Sequence, residues 1–178
     1  MLDKPVMDTG MMIQPEIDPR EFRSALGKFP TGVTIITTKN DNDEYIGITA
    51  SSFNSVSLNP PLILWSIDKN ARSLSSFPND GHYAVHVLNE QQQELSNTFA
   101  RQGADKFSGL EVTEGIAGVP LLAGVCGRFQ CKCEHQYDGG DHIIMVGRVL
   151  NYETCDNHKP LVFHSGNYAR VTYCSPLK

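Results

Sequence analysis

Short apolar runs alternate with polar turns along this chain, and the period of each run predicts its element. Asp18-Pro19-Arg20-Glu21 offers an acidic cap, a proline at the first helical position and a glutamate at the third. Phe22, Ala25 and Leu26 then share a helical face, and Gly27 with Pro30 ends the helix. Val33 to Thr38 is dense in β-branched residues and predicts a strand. The polar run from Lys39 to Glu44 is its turn, and Tyr45 to Ser57 returns as a second strand. Leu62 to Ile67 is apolar on both faces, which predicts a central strand. A short helix is expected from Ala71 to Phe77 and a fourth strand from Tyr83 to Leu88. Asn89, with Gln92 three residues on, caps a helix carrying Leu95 and Phe99 on one side. Residues 101–121 are glycine-rich and irregular. Cys126 to Tyr137 and His142 to Tyr152 are two long strands, joined by the hairpin signal Asp138-Gly139-Gly140-Asp141.

The sum is about six or seven strands and three short helices. Helices do not alternate regularly with strands, which disfavours a doubly wound parallel sheet. Closing an antiparallel sheet into a barrel removes its edges. The expected fold is therefore mainly β, an antiparallel barrel with a few peripheral short helices. No repeat or linker divides the chain, so one domain is expected over 18–178, preceded by a loose arm over 1–17.

Composition narrows the function classes. The 178 residues are 40% hydrophobic and 20% charged, as in a globular domain with a proper core. The net charge of −5, with no Lys/Arg cluster longer than two, argues against nucleic acid. No apolar run approaches the roughly 20 residues of a membrane span. The first residues include acids and no apolar signal core, so the cytoplasm is expected. Five scattered cysteines, an odd number, suit reduced thiols better than a disulfide framework.

Four segments could carry chemistry. Seven of the nine residues from Thr49 to Ser57 are Thr, Ala, Ser or Asn. Such a strand either lets another backbone approach closely or offers hydroxyl and N–H groups to an anion or a planar polar ring. In Ser66-Ile67-Asp68-Lys69-Asn70-Ala71-Arg72-Ser73 a strand ends in a polar turn that opens a short helix. With the forked donor set of Arg72 it forms a candidate phosphate cradle, against the alternative of plain capping by Asn70. His142 follows the hairpin turn at the mouth of a strand, as a pocket-rim imidazole or a solvated one. Cys131, Cys133 and His135 alternate on one strand face with Phe129 and Tyr137, and core-facing thiols are the expected reading. Zinc wants a second ligand pair, and no metal is expected. No Walker, Rossmann or nucleophile-elbow motif occurs.

The chain resembles the short-chain flavin reductases, the reductase components of two-component flavin monooxygenases, with their FMN-binding split β-barrel. The resemblance runs from about Phe22 to Arg170. Phe29-Pro30-Thr31-Gly32-Val33-Thr34, Gly47-Ile48-Thr49-Ala50-Ser51-Ser52-Phe53 and Val56-Ser57-Leu58-Asn59-Pro60-Pro61-Leu62 carry it. Asn70-Ala71-Arg72-Ser73, Phe99-Ala100, Lys106-Phe107, Gly140-Asp141-His142 and Gly166-Asn167-Tyr168 follow in the same order. The resemblance implies a homodimer with one flavin, FMN or FAD, per subunit. By position, Thr31, Gly32 and Val33 would meet the isoalloxazine edge, and Thr49, Ala50, Ser51 and Ser52 the ring and ribityl chain. Arg72, Ser73 and Lys106 would hold phosphate with Asn70 nearby, and Phe99 would pack along the flavin or the adenine portion. His142, as the catalytic residue, and Tyr168 would border the nicotinamide of NADH, with NADPH as the alternative. Hydride would pass to the flavin N5, and the reduced flavin would go to a separate monooxygenase. A flavin carrier or sensor on the same barrel, without nucleotide turnover, is the second reading.

Overall fold

Local chemistry sets the first helix. In a computed structural model, which describes residues 17–103 and 105–174, Asp18 Oδ1 accepts from the N–H groups of Arg20 (2.7 Å) and Glu21 (3.0 Å). That cap starts α1 (Pro19–Leu26), as its sequence predicts. No residue of α1 is buried, so its apolar Phe22 and Leu26 stay open. The arm expected over 1–17 lies, apart from Ile17, outside the described residues.

The strands are β1 (Thr31–Gly32), β2 (Thr34–Lys39), β3 (Tyr45–Ala50), β4 (Asn54–Leu58), β5 (Pro61–Asp68) and β6 (His82–Val87). After helix α2 (Gln93–Ala100) come β7 (Val112–Glu114), β8 (Pro120–Leu122), β9 (Gly127–Asp138), β10 (His142–Thr154), β11 (Leu161–His164) and β12 (Asn167–Arg170). Seven of them form one antiparallel sheet in the order β3-β2-β6-β9-β10-β5-β4. Its two edge strands, β3 and β4, are consecutive in the chain and joined only by residues 51–53. The sheet must therefore curl until its edges meet. That is the barrel, split at its seam. Ser52 fastens the seam, its Oγ accepting from the Ser66 N–H (2.8 Å) and donating to the Ser66 carbonyl (3.2 Å). The expected antiparallel barrel with few helices is borne out. Among the described residues no helix is long and apolar enough to cross a membrane.

Several element boundaries differ from the sequence-based expectation. The strand expected from Tyr45 to Ser57 breaks at residues 51–53, where the chain passes from one edge of the sheet to the other. The helix expected over Ala71–Phe77 shrinks to a single 3-10 turn, Leu74–Ser76. The irregular stretch 101–121 holds the small β7–β8 hairpin, and residues after 160 add a sheet ordered β1-β11-β12. In β5, Ile63, Trp65 and Ile67 are buried while Leu62, Leu64 and Ser66 are only half-buried. β5 thus lies between β4 and β10, one place in from the edge. In β9 a bulge shifts the register, so that Gly147 faces Cys133 but Val146 faces His135. One extra residue reverses the side-chain alternation. Cys131 and Cys133 stay in the core, as expected, but His135 and Tyr137 turn outward and Gln136 turns in to Phe77.

Three apolar clusters result, the smallest of them Ala84, Val119 and Leu121. Ile36, Trp65, Tyr83 and Met145 fill the barrel, while Val33, Ile35, Leu88, Phe99 and Leu161 pack between the barrel, α2 and the small sheet. His86 is fully buried beside them. The Leu122 N–H donates to its Nε2 (3.1 Å), so the proton sits on Nδ1, which reaches the Ile35 carbonyl at 3.1 Å. Burial lowers its pKa to about 3, opposed by the bond to Ile35 and reinforced by the charge of Arg128. The unfolded chain takes up this proton near the ordinary pKa of about 6.5. The neutral imidazole therefore stabilises fully above that pH, and the contribution fades as pH falls towards 3, by about 1.4 kcal/mol per unit. His86→Gln keeps a donor and an acceptor but cannot titrate. Its melting temperature should fall less than that of the native chain between pH 6.5 and 5; equal slopes would contradict this role.

Candidate active site

The site is built around the free edge of β3. Within the β2–β3 hairpin the Asn40 N–H donates to the Glu44 carbonyl (3.0 Å), and Thr34 Oγ1 donates to the Ala50 carbonyl (2.7 Å). Even-numbered residues of β3 thus turn their peptide groups towards β2, and odd ones turn away. Lys106 Nζ confirms it by donating to the outward Gly47 carbonyl (3.0 Å). The N–H groups of Gly47 and Thr49 face the same way. Past the strand end, the N–H groups of Ser51, Ser52 and Phe53 find no acceptor among the described residues. A row of open donors lines this edge.

The facing wall is the turn after β5. Asp68, rather than Asn70, caps it: its Oδ1 accepts from the Asn70 N–H (2.7 Å), and its carbonyl accepts from the Ala71 N–H (2.9 Å). Arg72 projects from this turn, exposed and with no hydrogen bond or ion pair among the described residues, and Ser73 follows half-buried. Lys106 closes the third side. Besides Gly47 it binds the Phe99 carbonyl (2.9 Å), at the negative C-terminal end of α2. Partial burial lowers its pKa. Two of its three N–H groups are engaged, and one remains for a ligand. Arg72, Ser73 and Lys106 together border two cavities. One, of about 180 Å³, is bounded by Ile48, Ala71 and residues 99–103; the other, of about 370 Å³, by Asn40, Tyr45, Asp105 and Phe107. Two cations and a hydroxyl at that junction suit a phosphoryl group.

Other expected residues fall elsewhere. Thr31 and Gly32 pair with Phe163 and Val162 of β11, and a side-chain carbon on Gly32 would meet nothing within 4 Å. Val33 is only 2% exposed, and both its backbone groups are paired, with the Leu161 carbonyl and the Leu88 N–H. It has no polar group left for a ligand. Thr49 Oγ1 donates to the Ser96 carbonyl (2.7 Å), so this hydroxyl docks α2, as that of Ser52 clamps β5. Ser51 and the peptide edge of Ala50 and its neighbours remain open. Phe99 is fully buried, its ring lying against Gly47 and edge-on to Phe107, and it offers no open face for stacking.

His142 and Tyr168 are not brought together by any hydrogen bond among the described residues. His142 opens β10 opposite Asp68, and its Nδ1 lies 2.7 Å from Asp141 Oδ1. That contact depresses the pKa of Asp141. Tyr168, on β12, donates towards Ser96 Oγ (2.8 Å) and Asn97 Oδ1 (2.9 Å) of α2. The sequence reading quoted Gly47 and Phe107 within its motifs but gave neither a role in the site. A lone glycine in a β-branched strand is the signal of close approach that could have found the first.

The fold is a split antiparallel barrel that brings Arg72 and Lys106 together beside the open edge of β3. Residues 26–172 match the family described as "Flavin reductase like domain". The reductase subunit HsaB of a flavin-dependent monooxygenase from Rhodococcus jostii is 39% identical over 93% of this chain and 85% of its own. The FMN reductase (NADH) SmoA of Agrobacterium fabrum is 42% identical over 86% of each chain. Some relatives are longer, this chain spanning 49% of them. The NADH:FAD oxidoreductase SgcE6 of Streptomyces globisporus, solved with NAD and FAD fragments, superposes with a TM-score of 0.82. It is 33% identical over 89% of this chain and 98% of its own. The chain belongs to the flavin reductase family, and it is an oxidoreductase that reduces flavin.

Proposed function

We propose that the β3 groove holds FMN or FAD while NADH, or NADPH, reduces it, and that the product serves a separate flavin-dependent monooxygenase. The carrying observation is that Arg72, Ser73 and Lys106 meet at the border of two cavities beside β3, whose edge leads on to the open N–H groups of residues 51–53. A flavin supplies the hydride acceptor, and the electronic work of the reaction is the cofactor's own. The chain then has to bind and orient. Ser51, Ser52 and the backbone of Thr49 and Ala50 offer donors to the carbonyl-rich ring and the ribityl chain, with Thr31 and Gly32 at the ring's far edge. Arg72, Ser73 and Lys106 neutralise phosphate, and Asn70 belongs to the turn that aims Arg72. Phe99 supports this wall from behind, through Gly47. No acid–base triad is required, since hydride transfer needs no proton relay at the reacting carbon.

His142 is proposed to meet the nicotinamide half of the reductant. It is 42% exposed and held by Asp141, beside the turn that carries Arg72. Tyr168 borders the same pocket in this reading, and a second copy of the chain completes it. Support for a homodimer comes from apolar side chains left uncovered, Leu58 at 95% and Phe29 at 73% exposure. Cytoplasmic residence fits the five free thiols. His142→Ala should raise the KM for NADH about tenfold and leave the flavin Kd unchanged. An equal loss of both would refute the assignment.

A further inference from the structure

The five thiols are free and stand in three different settings. Cys131 and Cys133 lie inside the barrel, and burial pushes the Cys131 thiol up to about 12, which keeps it protonated and away from solutes. Cys174 is exposed and outside every strand. Cys126 and Cys155 are half-buried, and the fold sets them side by side.

The pairing of β9 with β10 runs to Gly127 and Thr154. One step further the Cys155 N–H donates to the Cys126 carbonyl (2.8 Å), so the same register places the two cysteines opposite each other. Opposed residues of an antiparallel pair project to one face, with Cα atoms about 4.5–5.5 Å apart. A disulfide spans about 4.4–6.8 Å between Cα atoms, so that spacing accommodates one. The Cys126 thiol donates to the Leu88 carbonyl (3.7 Å). Burial raises its pKa first, and the nearby Cys155 thiol adds to the shift. Cys155 has open access instead. It lines a cavity of about 270 Å³ with Arg128, Glu153 and His158. Arg128 Nη2 donates to Glu153 (2.6 Å), while its buried Nε has no acceptor among the described residues. The wall beside the sulfur thus keeps a spare donor, and the cavity admits a small solute.

We propose that Cys126 and Cys155 are a redox pair, closed to a cross-strand disulfide by hydrogen peroxide. Flavin reduction itself leads to that oxidant. Reduced flavin that meets dioxygen passes it two electrons and two protons, giving peroxide and oxidised flavin. The Cys155 sulfur attacks one peroxide oxygen, the O–O bond breaks, and the leaving hydroxide takes up the thiol proton as water. The Cys126 sulfur then attacks the sulfenic acid on Cys155. The S–S bond forms, the S–O bond breaks, and the hydroxyl leaves with the Cys126 proton as a second water. Two thiols lose two electrons, which reduce one peroxide to two waters. The pair therefore records reduced flavin lost to dioxygen before it reaches an acceptor.

Thiol mapping of the full, pre-reduced chain tests this. The chain is exposed to hydrogen peroxide, or to NADH or NADPH with FMN in air, each with and without catalase. Free thiols are alkylated in denaturant, and the unreduced digest is read by mass spectrometry. A peptide linked through Cys126 and Cys155 should appear in both arms, with Cys131, Cys133 and Cys174 alkylated, and catalase should abolish it. Cys126→Ser should leave a sulfenic acid on Cys155 that dimedone captures, and Cys155→Ser should leave Cys126 as a thiol that alkylates. Both variants should keep the flavin reductase activity of the reduced native chain, which shows them folded. No linked peptide, a link through Cys174, or dimedone capture at Cys126 would each overturn the proposal. A link made by added peroxide but absent during flavin turnover overturns the flavin reaction as its source. A chain that turns over neither nucleotide removes the nicotinamide reading, and the added-peroxide arm still decides the thiol pair.

Discussion

Gly47→Val should destabilise the chain by about 2–3 kcal/mol and remove most of its flavin affinity. A side-chain carbon at Gly47 would collide with Phe99 Cε1 and sit 2.6 Å from its Cδ1. Phe99 is fully buried and cannot swing into solvent, so α2 or β3 must move instead. Either motion pulls on Lys106, which is bound to the carbonyls of both Gly47 and Phe99. Packing strain thus reaches the phosphate junction directly. Denaturant unfolding and flavin titration measure the two losses. Gly47→Ala combined with Phe99→Leu should recover part of both, since the second change opens the space that the first one needs. A Gly47→Val chain with native stability and native affinity would contradict this account of the groove wall.

Arg72→Ala should cost about ten- to a hundredfold in affinity for FMN and nothing for riboflavin. Arg72 has no partner of its own among the described residues, so its removal strands no buried charge. The loss then reports the contact to the ligand alone. A hydrogen bond to a charged group contributes about 1.5–3 kcal/mol, which sets that range. Lys106→Ala should also weaken FMN, but with a loss of stability, because Lys106 ties β3 to α2. Equal losses for FMN and riboflavin in Arg72→Ala would place the phosphate elsewhere.

What the sequence could disclose depended on how local each interaction is. The Asp18 cap acts over three residues, and the Asp138–Asp141 turn places Gly140 at φ 88, where glycine is favoured; both are legible. The break at residues 51–53 was not, because it arises where two sheet edges meet, a constraint set by β5 and β10. β7, β8, β11 and β12 span three or four residues each, too few to establish a period. The bulge in β9 turned His135 away from the cysteines, and alternation alone cannot register one extra residue.

The site shows the same division. Arg72, Ser73 and Lys106 border the same two cavities; the Arg72 turn was read from its local pattern, while Lys106 came from the resemblance alone. The hydroxyl-rich strand was read for both its hydroxyl and its N–H groups, and Thr49 and Ser52 spend their hydroxyls on α2 and β5. Its peptide edge is what remains free, and an open N–H group leaves no mark on the residue type. The resemblance implied that Phe99 packs along the flavin or the adenine portion, but its ring lies buried against Gly47 and Phe107.

Steady-state oxidation of reduced nicotinamide by the purified chain tests the central claim most directly, with NADH and NADPH each assayed against FMN, FAD and no flavin. The account predicts turnover that depends on added or bound flavin and stops in the flavin-free chain. A chain that binds flavin but oxidises neither nucleotide above background would contradict it, and would leave a flavin carrier on the same barrel.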